Sequence, residues 1–302
     1  MPRFINPFTD VGFKRIFGQE INKDLLIDFL NSLLAGEKHI TDIHFLDKEV
    51  LGETIEDRNS IYDIYCTDKN GEQFIVEMQN RSHKNFRERA LFYLSRAIVR
   101  QGEKGSKWLF NLKAVYGVFF MNFSLDELHG QLRTDIVLSN RETHEIFTDK
   151  MRYVFLQLPA FQKEEDECKT DFERWIYVLK NMETLHRLPF KARKAVFRKL
   201  EEIVDIASLS KEDRVKYDES IKVYRDNLVT EAWALEEGKK RGIEIGKEQG
   251  IEIGKEQGIE IGKEQGKEEA TIQNARGMKA EGIPIETIAK ITGLSIEKIK
   301  EL

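Results

Sequence analysis

The sequence predicts an α/β fold, in which helices flank a mixed β-sheet and a helical extension follows it. Three observations support this prediction. Amphipathic helical patterns surround a group of strand-like segments. The segment KAVYGVFFMNF is an almost continuous apolar run, as expected for a strand buried on both faces. From Asp171 to about Lys240 the pattern is helical. This order of elements is typical of an α/β core.

Two helices are predicted before the sheet. In TDVGFKRIFG, Thr9 is a good N-cap, the apolar residues lie near one side, and Gly18 ends the helix. In NKDLLIDFLNSLLAG, Asn22 can cap a stronger helix and Gly36 ends it. Strands are predicted at 40–50, 60–67 and 72–79 and over KAVYGVFFMNF, TDIVLSN and RYVFLQL, with a helix over NFRERALFYLSRAIVRQG.

The composition fits one sizeable core with an appendage, or two small domains. The chain has 302 residues, of which 40% are hydrophobic and 33% charged. With a net charge of −5, nucleic-acid binding needs a local basic patch. Cys66 and Cys168 have no His or Cys at metal-ligand spacing, so we predict reduced thiols in a cytoplasmic protein. The start MPRFINPFTD lacks an apolar signal segment, and no apolar run reaches about 18 residues, so we expect neither secretion nor a membrane partner.

A β-hairpin is predicted over YDIYCTDKNGEQFIVEMQN, residues 62–80. Asn70-Gly71 is a strong turn signal. With a three-residue loop and Gly71 in the left-handed conformation, Asp68 pairs with Glu72. A two-residue loop instead places the hairpin's two inner carboxylates on different faces.

The three-residue loop places Asp63 directly opposite Glu77 and puts Gln79 on the same face. The residues expected on the opposite, core-facing side are Tyr62, Ile64, Phe74, Val76 and Met78. Two facing carboxylates repel each other unless a positive charge lies between them. A strand face in solvent tolerates this repulsion. The alternative is a divalent cation such as Mg²⁺, which binds through one or two carboxylates and can activate water and stabilise a phosphodiester's charge.

Four segments together resemble a known family: NPFTDVGFKRIFG, LLIDFLNSLL, DIYCTDKNGEQFIVEMQ and FRERALFYLSR. An Asp on one strand, a turn, and Glu-x-Gln on the next resembles the PD-(D/E)xK nuclease signature. The four segments, over roughly residues 3–160, resemble the Rpn family of recombination-promoting nucleases, which is also described as PD-(D/E)xK family transposases. The resemblance implies a restriction-endonuclease-like core and metal-dependent DNA cleavage related to recombination or transposition.

The resemblance also implies the roles of the hairpin residues. Asp63 and Glu77 match the two motif carboxylates, and Gln79 stands at the usual Lys position. A Gln cannot act as a base or supply a full positive charge, but Glu-x-Gln is usual in this family. We therefore expect Asp63, Glu77 and Gln79 to be catalytic, with Mg²⁺ or another divalent cation held by the two carboxylates and the main-chain carbonyl of Met78.

Asp10 and Lys14 lie one helical turn apart in the first helix. The family resemblance includes this Asp-x-x-x-Lys pattern, which implies Asp10 as a further metal ligand and Lys14 as the catalytic cation that the motif lacks. The alternative is an ordinary surface ion pair, worth a few tenths of a kcal/mol.

The helix that contains FRERALFYLSR is expected to bind DNA through Arg87, Arg89, Tyr93 and Arg96, with Arg100 as a further phosphate contact. A solvated basic face is the alternative. Such cores make one cut per site, so a homodimer or higher oligomer is expected. The rival function is a catalytically inactive DNA-binding or interaction protein of the same fold that assembles through its C-terminal tail.

The predicted domains are a nuclease-like core at 1–165, a helical extension at 166–237, a repeat tail at 238–269 and a C-terminal unit at 270–302. The tail repeats GIEIGKEQ, with glycine at every fourth position. Ile243 and Ile245 lie about 200° apart on a helix, and each interior glycine costs about 1 kcal/mol, so a weak helix or solvated linker is expected. GIPIETIAKITGLSIEKIKEL predicts a helix, a turn and a helix. It resembles a helix-turn-helix, but we favour a small packing unit.

Overall fold

The structure of the protein is a computed structural model that describes residues 2–47, 49–50, 60–82, 85–103, 108–191 and 194–302. The chain forms two compact units, Met1–Asp226 and Asn227–Leu302. The domain boundaries at 165, 237 and 269 mark changes in sequence pattern and stay predictions.

Helices and strands are interspersed in the first half of the chain, and helices follow the last strand. In chain order they are α1 (Asp10–Phe17), α2 (Lys23–Leu33), β1 (Ile43–Phe45), β2 (Glu49–Val50), β3 (Ser60–Ile61), β4 (Ile64–Asp68), β5 (Gln73–Gln79), α3 (Phe86–Val99), β6 (Val115–Met121), β7 (Arg133–Ser139), β8 (Ile146–Gln157), α4 (Asp171–Asn181), α5 (Ala195–Val204), α6 (Lys211–Ala280), α7 (Ile285–Thr292) and α8 (Ile296–Glu301).

The first unit is built on a six-stranded sheet with the order β1-β4-β5-β6-β8-β7. The neighbours β5 and β6, and β6 and β8, run parallel, whereas the other pairs are antiparallel. The sheet is therefore mixed, as predicted. Every residue of the central strand β6 is buried, which confirms the strand expected from its continuous apolar run.

Hydrophobic layers cover both faces of this sheet. On one face, the larger core joins α1, α2, α4, α5 and the first turns of α6 through large buried side chains. Examples are Phe13, Phe29, Trp175, Phe197 and Tyr217. On the other face, α3 packs through Phe86, Ala90 and Leu94 against alternate residues of β5, β6 and β8. Because both faces are covered, a polar residue on either face of the central strands is removed from water.

The first helices form where the sequence predicts them, with one difference in capping. Thr9 caps α1, since its Oγ1 accepts a hydrogen bond from the amide of Gly12 at 3.0 Å. Asn22 precedes α2, but its side chain does not cap the helix. Its Nδ2 instead donates to the carbonyl of Arg15 at 2.9 Å, which ties the end of α1 to the start of α2.

Two of the predicted strands are broken. The segment 40–50 contributes β1 to the main sheet and β2 to a separate two-stranded sheet with β3. The segment 60–67 is interrupted at Tyr62 and Asp63, which lie outside the strands. Tyr62 is buried, as predicted, but not on the predicted face, which holds Ile64 and Phe74. Its ring lies 5.1 Å from that of Tyr65 and 5.3 Å from that of Tyr93, on the side covered by α3.

The repeat tail is helical. It lies within α6, a helix of 70 residues, and the space around each repeat glycine is open. Ile243 and Ile245 are 61% and 53% exposed. The predicted helix, turn and helix follow as α7 and α8, which pack on the end of α6 through the buried Ala275, Ile288 and Ile299.

Two further expectations concern the cysteines and membranes. Cys66 and Cys168 are both free and both buried. Among the helices of the described residues, none combines the length and the apolar character that crossing a membrane requires.

Candidate active site

The register of the β4–β5 hairpin places the two motif carboxylates opposite each other. The amide of Gly71 donates to the carbonyl of Asp68 at 3.0 Å, and the amide of Asp68 donates to the carbonyl of Glu72 at 2.9 Å. Gly71 has a φ of +78°, which favours glycine. The loop therefore has three residues, and the ladder pairs continue to Ile64 opposite Val76. This confirms the predicted register.

Two hydrogen bonds connect Asp63 to β5, one with Glu77 and one with Met78. The amide of Asp63 donates to Oε1 of Glu77 at 3.1 Å, and the amide of Met78 donates to Oδ2 of Asp63 at 2.9 Å. The Nε2 of Gln79 donates to Oε2 of Glu77 at 3.3 Å. The structure thus brings together the three hairpin residues that the sequence singles out.

Burial makes this pair of carboxylates electrostatically unusual. Glu77 is 1% exposed and Gln79 is 7% exposed, whereas Asp63 is partly buried. Burial, and then the charge of Asp63, raise the pKa of Glu77 to about 8. Burial also raises the pKa of Asp63. The pair therefore resists carrying two negative charges at neutral pH. The solvated strand face, which was the alternative to a cation site, is not present because α3 covers this face.

The ion pair on α1 lies beside this hairpin. The Nζ of Lys14 is 2.6 Å from Oδ1 of Asp10, and both side chains are exposed. Burial has the largest effect on the pKa of Asp63, but the Lys14 ammonium lowers that pKa and the Asp10 carboxylate raises it. Both charges therefore act on Asp63. Within the described residues, no group of three or more His, Cys, Asp or Glu side chains is arranged to hold a metal ion.

The predicted DNA-binding residues of α3 lie on two different flanks of the helix. Arg89 donates from Nε to the hydroxyl of Tyr93 at 2.9 Å, and its charge lowers the pKa of Glu77 against the larger effect of burial. Arg96 follows along the same stripe by helical spacing. Arg87 lies on the opposite flank, where it pairs with Glu127 at 3.2 Å. Arg89 and Tyr93 thus act on the carboxylates, whereas Arg87 lies on the other flank.

The structure adds two positioning residues that the sequence did not identify. The hydroxyl of Tyr62 donates to the carbonyl of Tyr93 at 3.1 Å, which joins the hairpin to α3. The Nδ2 of Asn80 donates to the carbonyl of Phe8, which joins the end of β5 to the segment before α1. The sequence feature that could have identified them is their position, because Tyr62 directly precedes Asp63 and Asn80 directly follows Gln79.

A comparison with known protein families decides the membership of the chain. A model of the PD-(D/E)XK nuclease family transposases matches residues 7–232. The chain belongs to this family. The match confirms the resemblance seen in the sequence and extends past the sheet through α4 and α5 into α6. No curated protein and no solved structure matches the chain.

Membership in the PD-(D/E)XK nuclease family transposases supports a nuclease or transposition-related role and implies a DNA substrate. Such nucleases generally use divalent metal ions, and the site offers a suitable donor set. Asp63 and Glu77 provide carboxylate oxygens, which hard divalent cations prefer. Burial raises the pKa of both carboxyl groups despite the opposing charges of Lys14 and Arg89, and a bound cation would favour their charged forms. The residues present therefore fit a divalent cation.

Proposed function

We propose that this protein is a metal-dependent DNA endonuclease that hydrolyses phosphodiester bonds in recombination or transposition. The observation that carries the proposal is the buried Glu77, whose side chain accepts a hydrogen bond from the main-chain amide of the partly buried Asp63, at the motif positions of the family. Two carboxylates held close together and largely away from water cost stability, and a bound cation would offset that cost.

Asp63 and Glu77 would hold Mg²⁺ or another divalent cation, together with the main-chain carbonyl of Met78. A cation in such a site activates a water molecule and neutralises charge on a phosphodiester. Oδ1 of Asp10 is engaged by Lys14. We therefore assign Asp10 the role of an outer carboxylate, which adds negative charge near the cation and positions Lys14.

In the usual motif one Lys orients the water and supplies positive charge. Here Gln79 and Lys14 would each take one of these two roles. The Nε2 of Gln79 donates to Glu77, so its carbonyl oxygen is turned to accept a hydrogen bond. That oxygen can orient an attacking water. Lys14 supplies the positive charge that Gln79 lacks, and its ammonium already acts on Asp63.

The stripe of Arg89, Tyr93 and Arg96 on α3 would hold the DNA backbone beside the carboxylates. Arg89 and Tyr93 are linked by a hydrogen bond, which fixes the guanidinium near the site. Arginine donates to phosphate oxygens through a planar fork, and each such contact makes binding dependent on salt. A homodimer would then supply the second cut of a double-strand break.

The exposed isoleucines of the repeat in α6 favour a second function. A catalytically inactive protein of the same fold could bind DNA and assemble through this tail. The intact carboxylate pair argues against this alternative, because a binding protein does not need to bury two facing carboxylates.

Nicking of supercoiled plasmid tests the proposed function. The wild-type protein should nick in Mg²⁺ and not in EDTA, and Glu77→Gln should lose the activity while keeping its shape and one hydrogen-bond acceptor. Glu88→Gln is the matched control, since Glu88 is exposed on α3. Equal nicking by wild type and Glu77→Gln would refute the catalytic assignment, and nicking in EDTA would refute the metal dependence.

A further inference from the structure

Two asparagines directly follow the central strands at the end of the sheet that carries the candidate site. Asn80 follows β5 and Asn122 follows β6. The amide of Asn122 donates to the carbonyl of Gln79 at 2.9 Å, where the pairing of these two strands ends. On its other side, β5 pairs with β4 only as far as Val76. The position of Gln79 therefore depends on β6 and on the residues that follow the strands.

The start of α6 holds Asn122 from the larger core. Tyr217, Ile221 and Tyr224 lie on one face of α6 by helical spacing and pack in that core. The Nδ2 of Asn122 donates to the hydroxyl of Tyr224 at 3.2 Å. A first path of two hydrogen bonds therefore leads from α6 through Asn122 to the carbonyl of Gln79.

A second path leads from α6 to the start of α1. The hydroxyl of Tyr217 accepts a hydrogen bond from the amide of Asn6 at 2.9 Å. Asn6 is only 3% exposed. Its side-chain oxygen accepts from the amide of Phe8 at 2.8 Å, and its carbonyl accepts from Oγ1 of Thr9 at 2.9 Å. Because Thr9 caps α1, this path fixes the start of the helix that carries Lys14.

The two paths lie on either side of the residue that follows Gln79. The Nδ2 of Asn80 donates to the carbonyl of Phe8, whose amide is held by Asn6. Packing alone does not require the two tyrosine hydroxyls, since phenylalanine would fill the same space. Hydrogen-bonded networks of buried polar groups instead fix one arrangement of the segments that they join. Here those segments are α6, the start of α1 and the ends of β5 and β6.

We propose that Tyr217 and Tyr224 are positioning residues for the candidate active site. Tyr224 acts on Gln79 through the first path, and Tyr217 acts on Lys14 through the second. The inference rests on the proposed function, in which Gln79 orients the attacking water and Lys14 supplies positive charge. A displacement of about 1 Å in such a site can lower the rate about a hundredfold. The start of α6 therefore belongs to the catalytic unit, and the predicted boundary at 165 lies inside that unit.

Removal of either hydroxyl tests the proposal. Tyr224→Phe and Tyr217→Phe keep their rings in the core, so the melting temperature should fall by only about 2–4 °C. Nicking of supercoiled plasmid in Mg²⁺ should fall about threefold to tenfold, as for one lost hydrogen bond. Tyr177→Phe is the matched control, because Tyr177 packs in the same core from α4. It should nick like wild type. Nicking by both test variants at the level of this control would overturn the proposal.

A crossed set of double variants separates positioning from a general loss of stability. Substitutions that act through one path do not add, whereas those in separate paths do. In the Gln79→Ala protein, Tyr224→Phe should cause no further loss of nicking, and Tyr217→Phe should still lower it. In the Lys14→Ala protein, the two tyrosine variants should exchange these effects. Equal losses in both proteins would overturn the proposal and leave the tyrosines with a purely structural role.

Hydrogen–deuterium exchange provides a readout that does not need activity. The amide of Asn122 is bonded to Gln79, so Tyr224→Phe should speed its exchange more than Tyr217→Phe or Tyr177→Phe does. If the wild-type protein does not nick but this exchange pattern is found, the endonuclease proposal fails and the path from α6 to Gln79 is supported. If the protein nicks but all three variants exchange alike at Asn122, the positioning by Tyr224 is overturned.

Discussion

The main-chain amide of Asp63 donates to the side chain of Glu77 on the neighbouring strand, at 3.1 Å. In a regular β-ladder a main-chain amide donates to a main-chain carbonyl, but the amide of Asp63 donates to a side chain instead. The strand accordingly breaks at Asp63, and Tyr62 turns towards α3. The candidate site is therefore built by an interruption of the sheet rather than by its regular pattern.

Removal of either motif carboxylate should abolish cleavage without unfolding the protein. In Asp63→Ala and Glu77→Ala, we expect metal-dependent nicking to fall by at least about a hundredfold. The melting temperature should stay level or rise, because removing one buried carboxylate relieves the repulsion on the other. Nicking assays and thermal melts in EDTA measure the two effects. A large drop in melting temperature would mean that the pair has a structural role.

The stability of the metal-free protein should decrease as the pH rises from about 5 to above 8. The pKa of Glu77 is about 8 in the folded protein, against an ordinary value of 4.5. Its contribution to stability is fully present below the lower value and is lost as the pH rises through the higher one, by a few kcal/mol in all. Glu77→Gln should therefore show a flatter profile than wild type in melts with EDTA. If the stability of both proteins depends on pH in the same way, the pKa of Glu77 is not raised in the folded protein.

Gln79 should affect the rate of cleavage more than the binding of metal. If its carbonyl oxygen orients the attacking water, Gln79→Ala should slow nicking about ten- to a hundredfold and leave the metal affinity nearly unchanged. Gln79→Lys restores the commoner motif and should retain activity. Titration calorimetry with the metal measures the affinity. Complete loss of metal binding in Gln79→Ala would make Gln79 a ligand instead.

Lys14 should contribute more to activity than its partner Asp10. Lys14→Ala removes the α1 cation that acts on Asp63, so we expect a loss of nicking of about tenfold or more together with a higher pKa of Asp63. Asp10→Asn keeps a polar side chain in the first turn of α1, and we expect it to cause a smaller loss of nicking than Lys14→Ala. Lys23→Ala is a control on α2, where Lys23 pairs with Glu20 and Asp42. If Lys14→Ala and Lys23→Ala are equally active, Lys14 and Asp10 form an ordinary surface ion pair without a role in cleavage.

The first unit should fold without the repeat tail. A chain that ends at Ala234 keeps Tyr217, Ile221 and Tyr224, through which the start of α6 packs on the core. We expect a nearly unchanged melting temperature and retained metal-dependent nicking. Self-association or part of the DNA affinity should be lost, because a tail that assembles subunits raises the local concentration of second sites.

Light scattering and nicking assays on the full-length and shortened chains decide the role of the tail. Misfolding of the shortened chain would show that residues after Ala234 are needed for folding. A shortened chain that still dimerises would assign the oligomer to the first unit.

The sequence alone determined most helices and strands, although two predicted strands are broken. The Asn70-Gly71 turn and the two-residue period of the strands specify the register of the β4–β5 ladder, which runs to Ile64 opposite Val76, one residue before Asp63 and Glu77. The helical spacing of apolar residues places α1, α2 and α3, and the motif order indicates the family. These features depend on residues close in the chain, so local rules suffice to predict them.

Only the tertiary structure decided which faces are buried and which residues meet. The polar face of the hairpin is covered because α3 returns across it, and this depends on contacts between distant segments. The same packing brings Arg89 to the flank of α3 beside Glu77, turns Tyr62 towards α3 and leaves the hydroxyl of Tyr153 without a partner among the described residues. Periodicity predicts two faces for each strand and several for each helix, but the packing of the whole chain determines what each face contacts.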